Sequence, residues 1–84
     1  MLSATRIRER IVAQYPDAVV EARDLTGGGD HWDVVVVSSA FEGKRPLQQH
    51  KLIYACFADE LHTGELHALA LKTWSPSQWA ALPK

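Results

Sequence analysis

The chain has a single cysteine, Cys56, among its 84 residues. One thiol cannot close an intramolecular disulfide, and a lone cysteine cannot build a zinc ribbon. A metal held here must draw its other ligands from different residue types or from a second molecule. Long apolar runs are also missing. No stretch approaches the roughly 18–20 residues of a membrane span, and the N-terminus lacks the apolar core of a secretion signal, so a cytoplasmic location and no membrane partner are the expectation. Nor is there a basic excess: the formal net charge is −1 and the pI about 6.4. Phosphate neutralisation supplies most non-specific nucleic-acid affinity, so this balance weighs against a free-standing nucleic-acid binder while leaving room for a local patch. Repeats, linkers and low-complexity stretches are absent, and no serine, aspartate and histidine fall at nucleophile-elbow or triad spacing. No self-contained enzyme is legible.

What remains is an ordinary single domain spanning residues 1–84. Hydrophobic residues make up 46% of it, and a chain this short buries only about 60–65% of its unfolded surface, which limits it to a modest core. Its organising stretch is residues 41–61, FEGKRPLQQHKLIYACFADEL, read as a short basic loop feeding one long amphipathic helix. Pro46 suits a first helical position, where its missing N–H costs nothing. A 100° wheel puts Leu47, Tyr54, Phe57, Ala58 and Leu61 on one face with Ile53 at its edge and His50 inside the stripe. Gln48, Gln49, Asp59 and Glu60 fall away from it.

On either side the pattern changes. Residues 3–15 read as a helix with Ser3 as N-cap, Ile7 and Ile11 stacked one turn apart, and Arg6, Glu9 and Arg10 solvated; Pro16 ends it. Residues 18–25 read as an edge strand whose charges blunt its outer side. Thr26-Gly27-Gly28-Gly29-Asp30 breaks regular structure, and residues 31–39, with four consecutive valines, read as an interior strand. The short turn makes these two an antiparallel hairpin. Gly64 stops the long helix, and residues 66–73 form a third strand. Because strand–helix–strand connections are parallel and right-handed, that strand runs beside the second in the same direction. Ser75-Pro76-Ser77-Gln78 fits a capping box for a short last helix to about residue 82, with Trp79 packing it onto the body. The order is α-β-β-α-β-α, an α+β fold with a mixed three-stranded sheet.

This order has a chemical consequence. Parallel neighbours begin at the same end of a sheet, and adjacent strands lie about 4.8 Å apart. His31 opens the second strand and His67 the third, so the two imidazoles can share one rim beside the glycine loop. Imidazole suits zinc, copper and iron, and two of them make an unfinished coordination shell open to ligands from elsewhere. Taken singly, a histidine near a strand end is more often a surface or hydrogen-bonded structural residue. The glycine loop lacks the following helix of a phosphate cradle. His50 reads as a packing residue, and Cys56 as structural or partner-facing.

Several separated motifs now fall into line: VVVVSSAFEGKRPLQQHKLIY, then ELHTGELHALALKTWSPSQW. The F-x-G-K segment, the histidine in a basic helix start, the H-A-L strand and the T-x-x-P-x-x-W ending resemble the BolA family, from the first helix to Trp79. The resemblance implies a fold like the type II KH domain and a monothiol glutaredoxin as partner. It implies a [2Fe–2S] cluster held jointly by the glutaredoxin cysteine, glutathione and this chain. The family's H-A-L histidine falls on His67. Its second ligand comes from the hairpin loop, a cysteine in some members and a histidine in others; Gly28 occupies the cysteine place here, which leaves His31. Some members are described as transcriptional regulators, so DNA is the alternative partner, through Lys44, Arg45, His50 and Lys51. The G-x-x-G loop of KH domains is absent, and the same patch reads as a docking surface for an acidic partner. A homodimer without a metal role is the third option.

Overall fold

Ser3 caps the first helix, its Oγ accepting from the Arg6 N–H at 3.2 Å, and α1 runs Ala4–Gln14 in the computed structural model, which describes residues 2–82. Ile7 and Ile11 are both fully buried, as i, i+4 spacing on one face requires. Strands β1 (Val19–Asp24) and β2 (His31–Val37) pair antiparallel, with Val19 opposite Val37 and Asp24 opposite Trp32. Strand β3 (Ala68–Trp74) lies parallel to β2, from His31 opposite Ala68 to Val37 opposite Trp74. The sheet order is β1-β2-β3, which puts the valine-rich strand in the middle. Alternation along the strands turns Val20, Trp32, Val34, Val36 and Leu69 into the core with Ile7, Ile11, Phe41, Ile53, Phe57 and Leu66. The sequence reading of element order, strand directions and mixed sheet holds.

The long helix does not stay whole. It divides into α2 (Pro46–Cys56) and α3 (Ala58–Thr63), separated at Phe57, whose backbone leaves helical geometry at φ −123°, ψ 21°. The cause lies on α1. Arg10 Nη2 donates to the Cys56 carbonyl at 2.6 Å, taking an acceptor that an unbroken helix would offer to the Glu60 N–H. The same guanidinium binds Glu60 through both nitrogens, at 2.6 and 2.9 Å, and stacks 5.3 Å from the Phe57 ring centroid. Arg10 and Glu60 are therefore a half-buried clamp, not the solvated pair that charge alone suggested.

The break also overturns the expected buried stripe. Leu47 and Tyr54 are exposed and Ala58 faces solvent, while Gln49, Ile53 and Phe57 form the inner row with Leu52 and Cys56 beside it. A straight wheel carried through residues 47–61 averages two axes and picks the wrong side for α2. Gln49 is inward because it has work there. Its Nε2 donates to the carbonyls of Phe41 and Lys44 and to Gln78 Oε1, and its Oε1 accepts from Thr73 Oγ1. The last helix, α4 (Pro76–Ala81), has the expected capping box between Ser75 and Gln78, but Trp79 is 40% exposed and is not a buried anchor.

The clamp gives the fold an acid limit. Hydrogen bonding from Arg10 holds the Glu60 carboxyl below its ordinary value of 4.5, outweighing its partial burial. The folded state thus binds its proton less readily than the unfolded chain does. The stabilisation is complete above the ordinary carboxylate range and is lost as pH falls through the lowered folded value. Glu60→Gln is expected to cost about 1 kcal/mol at pH 7, a deficit that shrinks as urea unfolding is repeated toward pH 3. A pH-independent deficit would remove the ion pair from this account.

Candidate functional site

The loop between β1 and β2 is held rigidly by its own residues. Asp24, at the end of β1, accepts from the N–H groups of Thr26 and Gly27 through Oδ1 and of Gly29 through Oδ2. The indole N–H of Trp32, itself buried in the core, donates to the Gly29 carbonyl at 2.9 Å. Gly27 and Gly29 take positive φ (82° and 76°), which side-chain-bearing residues adopt only with strain. This delivers Asp30 and His31 to the end of β2 in a fixed position.

The parallel register supplies the second half. The N–H of His67 and that of Ala68 both donate to the Asp30 carbonyl, at 2.8 and 3.1 Å. His67 is thereby seated directly beside Asp30 and His31, and the two imidazoles meet edge to face with centroids 5.7 Å apart. The shared rim expected from strand direction is present. Asp30, which the sequence reading passed over, sits between the rings: its Oδ1 lies 3.0 Å from His31 Nδ1 and its Oδ2 lies 3.3 Å from His67 Nδ1. Thr26 Oγ1 also donates to Asp30 Oδ1. The His31 imidazole holds the Asp30 carboxyl below its ordinary value of 3.8, against a smaller opposing effect of desolvation. The signal in the sequence was an acidic residue directly before the strand-opening histidine; that it faces both rings depends on the main-chain bonds from β3.

Two imidazoles, one carboxylate and open solvent meet here. His67 is the most exposed of the three side chains at 59%, while the Nδ1 atom of His31 is closed to solvent beside Asp30 Oδ1. The donor set of two imidazole nitrogens and a carboxylate oxygen can hold a transition metal or complete a cluster's shell. Cys56 is no part of it. The thiol lies on α2 against α1, half-buried, its Sγ 3.6 Å from the Leu52 carbonyl, and burial pushes its pKa up, away from the thiolate form that binds metal.

The basic residues lie elsewhere. Lys44, Arg45 and Lys51 are exposed and His50 is half-buried. Lys44 and Arg45 lie in the loop that follows the far end of β2, whose six residue steps separate that end from the histidines by about 20 Å. His50 and Lys51 lie on α2, which runs back toward the histidine end, Tyr54 Oη donating to the Leu69 carbonyl near the start of β3.

A family model described as BolA-like protein matches residues 11–78. The chain is 41% identical over 80 residues to human BolA-like protein 1, covering 87% of this chain and 58% of that protein; it spans about three-fifths of the length of the BolA-like protein 1 relatives it matches. It is 36% identical over 89 residues to an Escherichia coli protein named DNA-binding transcriptional regulator BolA, covering 98% of this chain and 84% of that one. Among solved structures it is similar to BolA1 from Arabidopsis thaliana, with TM-score 0.80 and 30% identity over 99% of this chain and 100% of the other.

Proposed function

The chain belongs to the BolA-like protein family, and from that premise we propose that it is a non-catalytic adaptor that binds a monothiol glutaredoxin and shares a [2Fe–2S] cluster with it. The observation that carries this reading is the meeting of His31 and His67 at one exposed rim, 5.7 Å apart. An iron–sulfur cluster in such a complex is cargo, with the glutaredoxin cysteine and glutathione supplying its remaining ligands. The donor chemistry fits. Imidazoles replace cysteines as iron ligands in Rieske centres, where they raise the potential, and His67 and His31 would be the residues that do so here. What this chain contributes is position: Asp24 and Trp32 fix the loop, and the Asp30 carbonyl fixes the start of β3. Cluster trafficking or iron sensing is the role such an adaptor serves.

Mixing the apo chain with a cluster-loaded monothiol glutaredoxin and glutathione is expected to change the cluster's visible absorption and circular dichroism. An unaltered spectrum at stoichiometric excess overturns the reading.

A second reading has an observation of its own. Lys44 and Arg45 are exposed in the loop that follows β2 and Lys51 is exposed on α2, and the E. coli relative is named for DNA binding. Binding to duplex DNA through this patch should weaken steeply with salt and be lost in the double variant Lys44→Ala, Arg45→Ala. Salt-insensitive binding, or none, removes it.

A further inference from the structure

We propose that Asp30, His31 and His67 together form a binding site for a single divalent transition-metal ion, which the chain holds by itself, with no partner protein. The three side chains can each present one ligand atom within a 4.8 Å circle. The carboxylate already stands against both imidazoles, its Oδ1 3.0 Å from His31 Nδ1 and its Oδ2 3.3 Å from His67 Nδ1. Neither ring has moved away to bond another group. His31 Nδ1 is covered by its neighbours, with Asp30 Oδ1 standing 3.0 Å from it.

Two further features favour occupancy. The loop is already ordered by Asp24 and Trp32, so binding does not have to organise it. The site is also open, with side-chain exposures of 34%, 39% and 59% for Asp30, His31 and His67, which gives an entry path and leaves the remaining coordination positions to water. Two nitrogens and one carboxylate select zinc, iron(II) or cobalt over magnesium and calcium, which prefer all-oxygen shells. Asp30 supplies a negative charge that two neutral imidazoles lack. The proposal goes beyond the cluster reading, since it needs neither glutaredoxin nor glutathione. Because it uses the same imidazoles, one ion on them blocks their use for a cluster.

Titrating cobalt(II) into the metal-free chain tests this. Visible ligand-field absorption should grow to a one-to-one endpoint, and zinc should displace it. Asp30→Asn, which keeps both histidines, is expected to weaken cobalt binding by about tenfold or more while leaving the far-ultraviolet circular dichroism unchanged; His31→Gln should weaken it likewise. Absence of cobalt absorption by the wild-type chain, or undiminished affinity in both variants, overturns the proposal. The glutaredoxin spectrum is recorded on Asp30→Asn in parallel. A retained cluster response beside failed cobalt binding in the wild type sinks the single-ion site alone, and the reverse pattern sinks only the shared cluster.

Discussion

His67→Ala is expected to abolish the spectral change on mixing with a cluster-loaded glutaredoxin, and His31→Ala to weaken it. The asymmetry follows from placement. His67 is the more exposed ring, with 59% of its side chain in solvent against 39% for His31, so an approaching partner meets it first. His31 lies behind it with Nδ1 closed to water. Losing His67 leaves one recessed imidazole, whereas losing His31 leaves the presented one and a carboxylate. Neither ring belongs to the buried core, so both variants should stay within about 0.5 kcal/mol of wild type in stability. Loss of binding accompanied by an unchanged thermal midpoint is the informative outcome. A full response from His67→Ala would take the rim out of cluster sharing altogether.

The largest effect on stability is expected at a polar residue. Gln49 is completely buried on α2 and ties four places together: the carbonyls of Phe41 and Lys44 in the preceding turn and loop, Thr73 on β3, and Gln78 in α4. Gln49→Ala takes the partner from the Lys44 carbonyl and the Thr73 hydroxyl, while the Phe41 carbonyl keeps the Lys44 N–H and Gln78 Oε1 keeps the Ser75 N–H, and it opens a cavity. Each buried group left unpaired costs about 1–3 kcal/mol, and the sum here is put at roughly 3–4 kcal/mol because relaxation and water recover part of it. For a domain of this size that lowers the thermal midpoint by about 15–25 °C. Gln49→Leu separates the causes. It fills the volume but pairs none of the four groups, and should remain destabilised by about 2 kcal/mol or more. A Gln49→Leu protein as stable as wild type would falsify the hydrogen-bond explanation.

Why Gln49 escaped the sequence reading is instructive beside what did not. Ile7 and Ile11, the valine run, the glycine stop at Gly64 and the Ser75–Gln78 box are local signals, each set by residues within a turn or two of one another. The meeting of His31 with His67 is long-range, yet it followed from a handedness rule and needed no knowledge of packing. The face of α2 was different. It is set by Arg10, which diverts the Cys56 carbonyl from more than 40 positions away in the chain, and by a buried network whose members are scattered between Phe41 and Gln78. An apolar wheel assigns glutamine outward because it cannot count the carbonyls waiting for a donor. Asp30 was passed over for a related reason: its carboxylate lies between the rings only because its own carbonyl anchors the first residues of β3.

The separation of the histidine rim from Lys44 and Arg45 by the full run of β2 has an implication for assembly. A protein with both surfaces at one pole must release one occupant to admit another, and so behaves as an exclusive selector. Here a guest at either pole leaves the opposite one uncovered, and the rigid central strand fixes the gap between them. A partner seated on the histidine rim would leave Lys44 and Arg45 uncovered.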